Sequence, residues 1–329
     1  MLVDSLAVGL TLLKTAAMVV RMSGSATPIL VTGATGRHGS TSAHVARRLR
    51  EEGRPVRILA RAHSERTDEL AALGAEVFIG DLHDRRSLVD ALVGVDQAYF
   101  TYPVDAGVIV AAANYAAAVR ETGRPVRTVV MSMGPAHPLH PSDLGRAQWL
   151  AEEVMTWGGL DVLILRVVAT FHQNLIALHG ESIRRDNLLR NSFGDGAVGW
   201  INGSDAGELA VAALLRPGGF NGPVCYPTGS ELLNHHDVAA ILTEELGRPI
   251  AFEPISPDAW REDLVRLAAD NPGGVVNAAM AGHIANVGLA VAARGAPPAD
   301  GGQLARLIDR APITLREFVR ANRDILEAV

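Results

Sequence analysis

Between residues 28 and 168 the chain repeats one kind of unit. Short apolar, β-branched runs at 29–32, 56–60, 77–79, 95–101, 127–132 and 161–168 alternate with stretches of helical spacing at 40–52, 67–73, 85–92, 106–121 and 142–157. Short buried strands that alternate with amphipathic helices build βαβ units and a parallel sheet. The connections carry turn signals: EEGRP, ALGAE, LVGVD, ETGRP and GGLD. In EGRPVR and TGRPVR, glycine ends a helix and proline blocks its continuation. The expected fold class is α/β, a Rossmann-type doubly wound parallel sheet.

After residue 170 the rhythm breaks. SDAGELAVAALLRP predicts a helix opening at Ser204 or Asp205 and closing at Pro217, and GPVCYPT predicts a strand. NHHDVAAILTEELGRPIAFEPI predicts a helix capped by Asn234 or the following histidine, then a strand. Thr314 and Glu317 form a capping box that opens a last helix. Residues 288–302 read as a loop. No long polar linker intervenes, so a smaller C-terminal α/β substrate lobe over 171–329 is expected to interleave with a sheet domain over 28–170.

Composition limits the function classes. Apolar residues make up 48% of the 329, and net charge is −6, without the basic stripe of a nucleic-acid binder. The single cysteine, Cys225, allows no internal disulfide and suits a reducing, cytoplasmic setting. Residues 1–27 are apolar but carry Asp4 and Lys14. They match neither a membrane span nor a secretory leader. They read as an extra helix, or as a start upstream of the native one near Met22.

The first strand runs into Gly33-Ala34-Thr35-Gly36-Arg37-His38-Gly39. Glycines at this spacing let backbone amides approach a ligand, and the following helix offers unpaired N–H groups to a pyrophosphate. A carboxylate about 20 residues further on would bind a ribose 2′-OH. Arg61 occupies that place, and no acid follows until Glu65. A guanidinium there suits a 2′-phosphate, so the expected coenzyme is NADPH rather than NADH. Arg37 offers a second positive charge.

These residues resemble the NmrA-like group of atypical short-chain dehydrogenases/reductases. The likeness spans roughly residues 28–325. It rests on TGATGRHG, Arg61, GDLHDRRSL, Ser132, GGLDVLILR, FHQN and TLREFVRAN. The resemblance implies that Gly33, Thr35, Gly36, Arg37, His38 and Gly39 cradle the phosphates and that Arg61 holds the 2′-phosphate. It implies that Asp81 and Leu82 lie along the adenine, and that Thr101, Tyr102 and Pro103 border the ribose and nicotinamide. Phe171 and Asn174 would face the nicotinamide end. The residues themselves leave two alternatives open: Asp81 as a cap of the next helix, and Tyr102 as a packing aromatic.

The Tyr–Lys couple usual in this superfamily is missing. The residues four beyond Tyr99, Tyr102, Tyr115 and Tyr226 are Pro103, Ala106, Val119 and Ser230, and the only lysine is Lys14. The lysine that NmrA-like enzymes more often keep on the fifth helix is replaced by Gln148, with Glu152 as its partner. Ser132, at the end of the fifth strand, has a hydroxyl to offer a carbonyl oxygen. His137 and His140, in the loop beyond, are candidate proton sources or plain surface histidines. His172 either faces the nicotinamide or packs. Hydride transfer needs only a bound nicotinamide and an electrophilic carbon. A phenol beside the carbonyl lets a substrate stabilise its own alkoxide. The resemblance thus implies a ketoreductase acting on a bulky aromatic ketone or quinone, as in polyketide antibiotic biosynthesis. Its alternative is a non-catalytic NADP(H) sensor. Neither a metal nor a membrane is expected to take part.

Overall fold

The computed structural model describes residues 27–36, 41–272 and 274–327. The sheet half contains β1 (Ile29–Val31), α1 (Thr41–Glu51), β2 (Val56–Ala60), α2 (Glu65–Ala72), β3 (Glu76–Ile79) and α3 (Arg85–Ala91). It continues with β4 (Gln97–Phe100), α4 (Val108–Glu121), β5 (Arg127–Met133), α5 (Asp143–Trp157) and β6 (Val162–Val167). These strands have two buried faces, so they read in sequence as continuous apolar runs.

The second half contributes β7 (Thr170–Phe171), α6 (Gln173–Asp186), β8 (Leu188–Asn191), β9 (Val198–Ile201), α7 (Gly203–Leu215), β10 (Val224–Cys225) and β11 (Glu231–Leu233). Then come α8 (His235–Leu246), β12 (Ala251–Pro254), α9 (Pro257–Asp270), α10 (Ala278–Arg294), α11 (Gly301–Ile308), α12 (Leu315–Ala321) and α13 (Arg323–Glu327).

The central sheet has seven strands in the order β10-β6-β5-β4-β1-β2-β3. Every neighbouring pair is parallel. The chain runs outward from β1 to β3, then returns to β4 on the other side of β1. This reversal leaves a crevice at the carboxyl ends of β1 and β4, where open α/β sheets bind ligands. One face of the sheet packs on α1, α7 and α11, and the other on α3, α4 and α5. The second half therefore returns three elements to the first: α7 and α11 to its core, and β10 to its edge. The rest forms a lobe with its own core, including Leu175, Leu189, Trp200, Val238 and Phe318.

Two boundaries differ from expectation. The helix expected to open at Ser204 or Asp205 opens at Gly203, because Asn202 is its cap and accepts from the Ser204 N–H. Asp205 is instead fully buried, paired with Arg310 and accepting from the Ile313 N–H at 2.8 Å. Residues 288–302 are mostly not a loop: α10 continues to Arg294 and α11 begins at Gly301. The capping boxes at Asn234/Asp237 and Thr314/Glu317 both form. No described helix is long and apolar enough to cross a membrane. The expectations for the N-terminal segment lie almost wholly outside the described residues.

Candidate active site

The glycine turn leaves β1 at the crossover point. Gly33 has φ +69°, and a Cβ there would stand 2.8 Å from Thr101 Cγ2. A Cβ on Gly36 would stand 2.9 Å from the Gly33 carbonyl oxygen, which already accepts the Gly36 N–H at 2.9 Å. Thr32 Oγ1 donates to the Thr101 carbonyl at 2.8 Å and accepts the Thr101 N–H at 2.9 Å. This pair ties the ends of β1 and β4 together and sets Thr101 directly against the turn. Arg37, His38 and Gly39 lie outside the described residues. Gly33→Ala should cost about 1–2 kcal/mol from its left-handed backbone alone, with Thr101 also forced to shift. Urea unfolding measures that loss.

The next carboxyl ends of the sheet gather the expected coenzyme contacts. Arg61 directly follows β2, is exposed, and makes no ion pair among the described residues. Asp81 does not cap the following helix: that role belongs to Asp84, which accepts the Arg86 N–H at 3.0 Å. Asp81 Oδ1 instead accepts the His83 N–H at 2.9 Å, and Leu82 beside it is buried. Tyr102 is only half-buried. Its hydroxyl lies 2.7 Å from His83 Nε2, and the two rings stack at 5.7 Å. Burial, then the carboxylates of Asp105 and Asp81, lift the Tyr102 phenol above its ordinary value, with Arg61 pulling it down. Arg61, Asp81 and Tyr102 are thus close enough to share a field. Pro103 follows on the exposed rim.

The catalytic candidates are arranged differently from the expected pattern. Ser132 is buried and donates its hydroxyl proton to Glu152 Oε1. Glu152, only 1% exposed, accepts from Arg166 Nε at 2.8 Å and Nη2 at 2.5 Å through its other oxygen. Arg166 Nη1 donates to the Tyr226 hydroxyl at 2.8 Å. The partners of Glu152 are therefore Ser132 and Arg166 rather than Gln148, which sits half-buried one turn earlier on α5. Burial lifts the Glu152 carboxyl above its usual range against the pull of Arg166 and Ser132.

His137 is exposed, and its Nδ1 accepts the Leu139 N–H at 3.1 Å. His140 is half-buried and accepts the Ser142 N–H at 3.0 Å, while Ser142 Oγ lies 2.8 Å from His283 Nδ1 on α10. His172 packs: it is fully buried, 5.5 Å from the Phe318 ring, and burial pushes its pKa down to about 3. No described group of three or more His, Cys, Asp or Glu residues is arranged to hold a metal ion.

Two neighbouring cavities lie near the site, one of them at the turn. One, of about 360 Å³, lies between Gly36, Arg47 and Arg66. The other, of about 510 Å³, lies in the lobe and is walled by Asn174, Ile176, Val275, Ile313 and Phe318. Gln173 and Asn202 border both, so the two are neighbours. Asn174 Oδ1 is buried without a hydrogen-bond partner, an acceptor that only a ligand or water can satisfy. Phe171, on the short β7, lies three residues earlier.

Comparisons with known proteins bear on the family and the fold. The NmrA-like family model matches residues 25–149. An NAD(P)H azoreductase of Xenophilus azovorans is 33% identical over 241 residues, covering 73% of this chain and 81% of that one. The chain belongs to the NmrA-like family. A second relative, the (4-alkanoyl-5-oxo-2,5-dihydrofuran-3-yl)methyl phosphate reductase of Streptomyces griseus, is 35% identical over 242 residues. That match covers 72% of this NmrA-like chain and 80% of the relative. In fold, the chain is similar to an NADPH-dependent quinone oxidoreductase of Escherichia coli solved with NADPH. The TM-score is 0.73 at 20% identity, covering 89% of this chain and 99% of that one.

Sequence reasoning missed Arg166, His283 and Arg66 of this NmrA-like site. Arg166 and His283 lie 14 and 141 residues from the groups they bond, so no local spacing announces them.

Proposed function

We propose that the protein is an NADPH-dependent reductase that delivers hydride to a ketone or quinone carbonyl of a bulky aromatic small molecule, without a Tyr–Lys pair. The observation that carries this reading is the glycine turn at the crossover of the sheet, with a guanidinium beyond β2 that makes no ion pair among the described residues. The turn has no room for side chains at Gly33 and Gly36, which fits a site where backbone meets phosphate. Arg61 is free to meet a 2′-phosphate. A relative one-third identical and named for NAD(P)H supports a nicotinamide coenzyme. When bound, NADPH supplies the hydride.

The remaining roles fall to the chain's own residues. Gly33, Thr35 and Gly36 hold the pyrophosphate, with Arg37, His38 and Gly39 continuing the cradle. Asp81 and Leu82 border the adenine. Thr101, Tyr102 and Pro103 flank the ribose. Phe171 and Asn174 face the nicotinamide, and a carboxamide N–H is the donor that Asn174 Oδ1 lacks.

Ser132 has its proton committed to Glu152, so it does not protonate the substrate carbonyl; its lone pairs accept from a substrate phenol or from the hydroxyl formed on reduction. Gln148, one turn before Glu152 on α5, offers a neutral contact in place of the family's lysine. His137, exposed on the loop after β5, remains the candidate proton donor. A positioned general acid contributes about 10²–10⁴-fold, and a substrate with its own phenol beside the carbonyl recovers part of that. A cavity of about 510 Å³ with apolar walls suits a polycyclic ring system.

The test is NADPH consumption against a panel of polycyclic quinones and hydroxylated aryl ketones. Oxidation of coenzyme with a reduced product is the expected result. Tight coenzyme binding with no turnover on any member would overturn the enzyme reading and leave the non-catalytic sensor.

A further inference from the structure

The glycine turn is held from outside by a side chain that no motif marks. Arg66 Nη1 donates to the Thr35 carbonyl at 2.9 Å and to the Gly36 carbonyl at 3.2 Å. Among the described residues no other side chain bonds to either carbonyl.

The arginine projects from a fixed base. It is the second residue of α2, whose first turn is closed by a capping box between Ser64 and Thr67. Thr67 Oγ1 accepts the Ser64 N–H at 2.8 Å and donates to the Ser64 carbonyl at 2.6 Å, and Thr67 is fully buried. The reach of Arg66 across to the turn therefore starts from an ordered helix end.

We propose that Arg66 is the positioning residue of the phosphate turn, acting on the backbone that any dinucleotide meets, while Arg61 reads the 2′-phosphate. The physical route is the planarity of the peptide. A carbonyl drawn to one side turns the N–H of the same unit to the other. Fixing the Thr35 carbonyl toward α2 thus fixes the Gly36 N–H of the same unit toward the Gly33 carbonyl, which it meets at 2.9 Å, and so closes the turn. The guanidinium fork is suited to this because one nitrogen spans two acceptors while the others stay hydrated. The two arginines flank one helix start and divide the work: Arg66 sets the cradle, and Arg61 selects the phosphorylated coenzyme.

This division rests in part on the NADPH reading, so the test has one arm that needs no coenzyme. In the first arm, Arg66→Gln and Arg66→Lys are titrated calorimetrically with NADPH and NADH. Arg66→Gln should weaken both coenzymes alike, by about tenfold, leaving the NADPH-to-NADH ratio at its wild-type value. Arg66→Lys, which keeps a charged donor, should recover part of both losses. Arg66 is exposed, so the unfolding midpoint should hardly move.

In the second arm, amide hydrogen exchange is measured without coenzyme. Arg66→Gln should speed exchange at Gly36, whose N–H closes the turn onto Gly33, and leave α1 unchanged. A loss confined to NADPH would make Arg66 a phosphate ligand and overturn the positioning role. Unchanged affinities together with unchanged exchange would also overturn it. If the wild type binds neither coenzyme, the reductase reading fails, and the exchange at Gly36 still decides whether Arg66 holds the turn.

Discussion

Acidification from pH 6.5 toward 4 should unfold the protein, with between three and four protons taken up by histidines alone near pH 5. Four imidazoles in the second half are at most 7% exposed: His172, His179, His235 and His283. Burial is the leading cause in each case, and it pushes their pKa values from 6.5 down to about 3, 4, 3 and 4. His235 is also opposed by His179 and His236, and His283 by His140.

The folded values lie below the unfolded one, so the unfolded chain binds more protons throughout the window between them. Stability from these groups is complete above 6.5 and is lost as pH falls. At its steepest the loss is about 5 kcal/mol per pH unit for the set. A domain with a net stability of about 5–15 kcal/mol does not survive that slope far below pH 5. Circular dichroism against pH, with potentiometric proton counting, measures both midpoint and slope. Native dichroism retained at pH 4 would show that these imidazoles are not held neutral by burial.

Arg61→Ala is the second large effect, and it falls on one coenzyme only. The side chain is exposed and free of ion pairs among the described residues, so removing it breaks no internal partner. What disappears is the set of charge-assisted hydrogen bonds to the 2′-phosphate. Bonds to charged groups contribute about 1.5–3 kcal/mol, which corresponds to about a 10–100-fold loss of NADPH affinity. NADH carries no such phosphate and should be bound as before. The contrast with Arg66 is direct: one arginine changes the ratio of the two affinities, the other changes both together.

The legible and illegible parts of the chain differ for physical reasons. β1 to β6 announce themselves because parallel strands covered on both faces need unbroken apolar runs, and their helices end at glycine, in two cases with a proline two residues on. The glycine turn and Arg61 are readable because a phosphate-binding turn would impose a local spacing.

The lobe gives weaker signals. β7 is two residues long, too short for any period to show. α10 runs past residue 288, where glycine in an Ala-rich stretch suggests a break. Gly288 is there for packing: a Cβ would stand 2.4 Å from Ser192 Oγ. Gly207 does the same for α7, where a Cβ would stand 2.8 Å from His44 Cδ2. The Ser132–Glu152–Arg166 chain was half-legible. Ser132 and Glu152 stand out as residues, but their bond forms only once β5, α5 and β6 are assembled.

The most direct measurement is calorimetric titration of the wild type and Arg61→Ala with NADPH and NADH. The account predicts one site on the wild type, NADPH bound at least about tenfold tighter than NADH, and that preference gone in Arg61→Ala. A wild type that gives no heat with either coenzyme, or that holds NADH as tightly as NADPH, would contradict it.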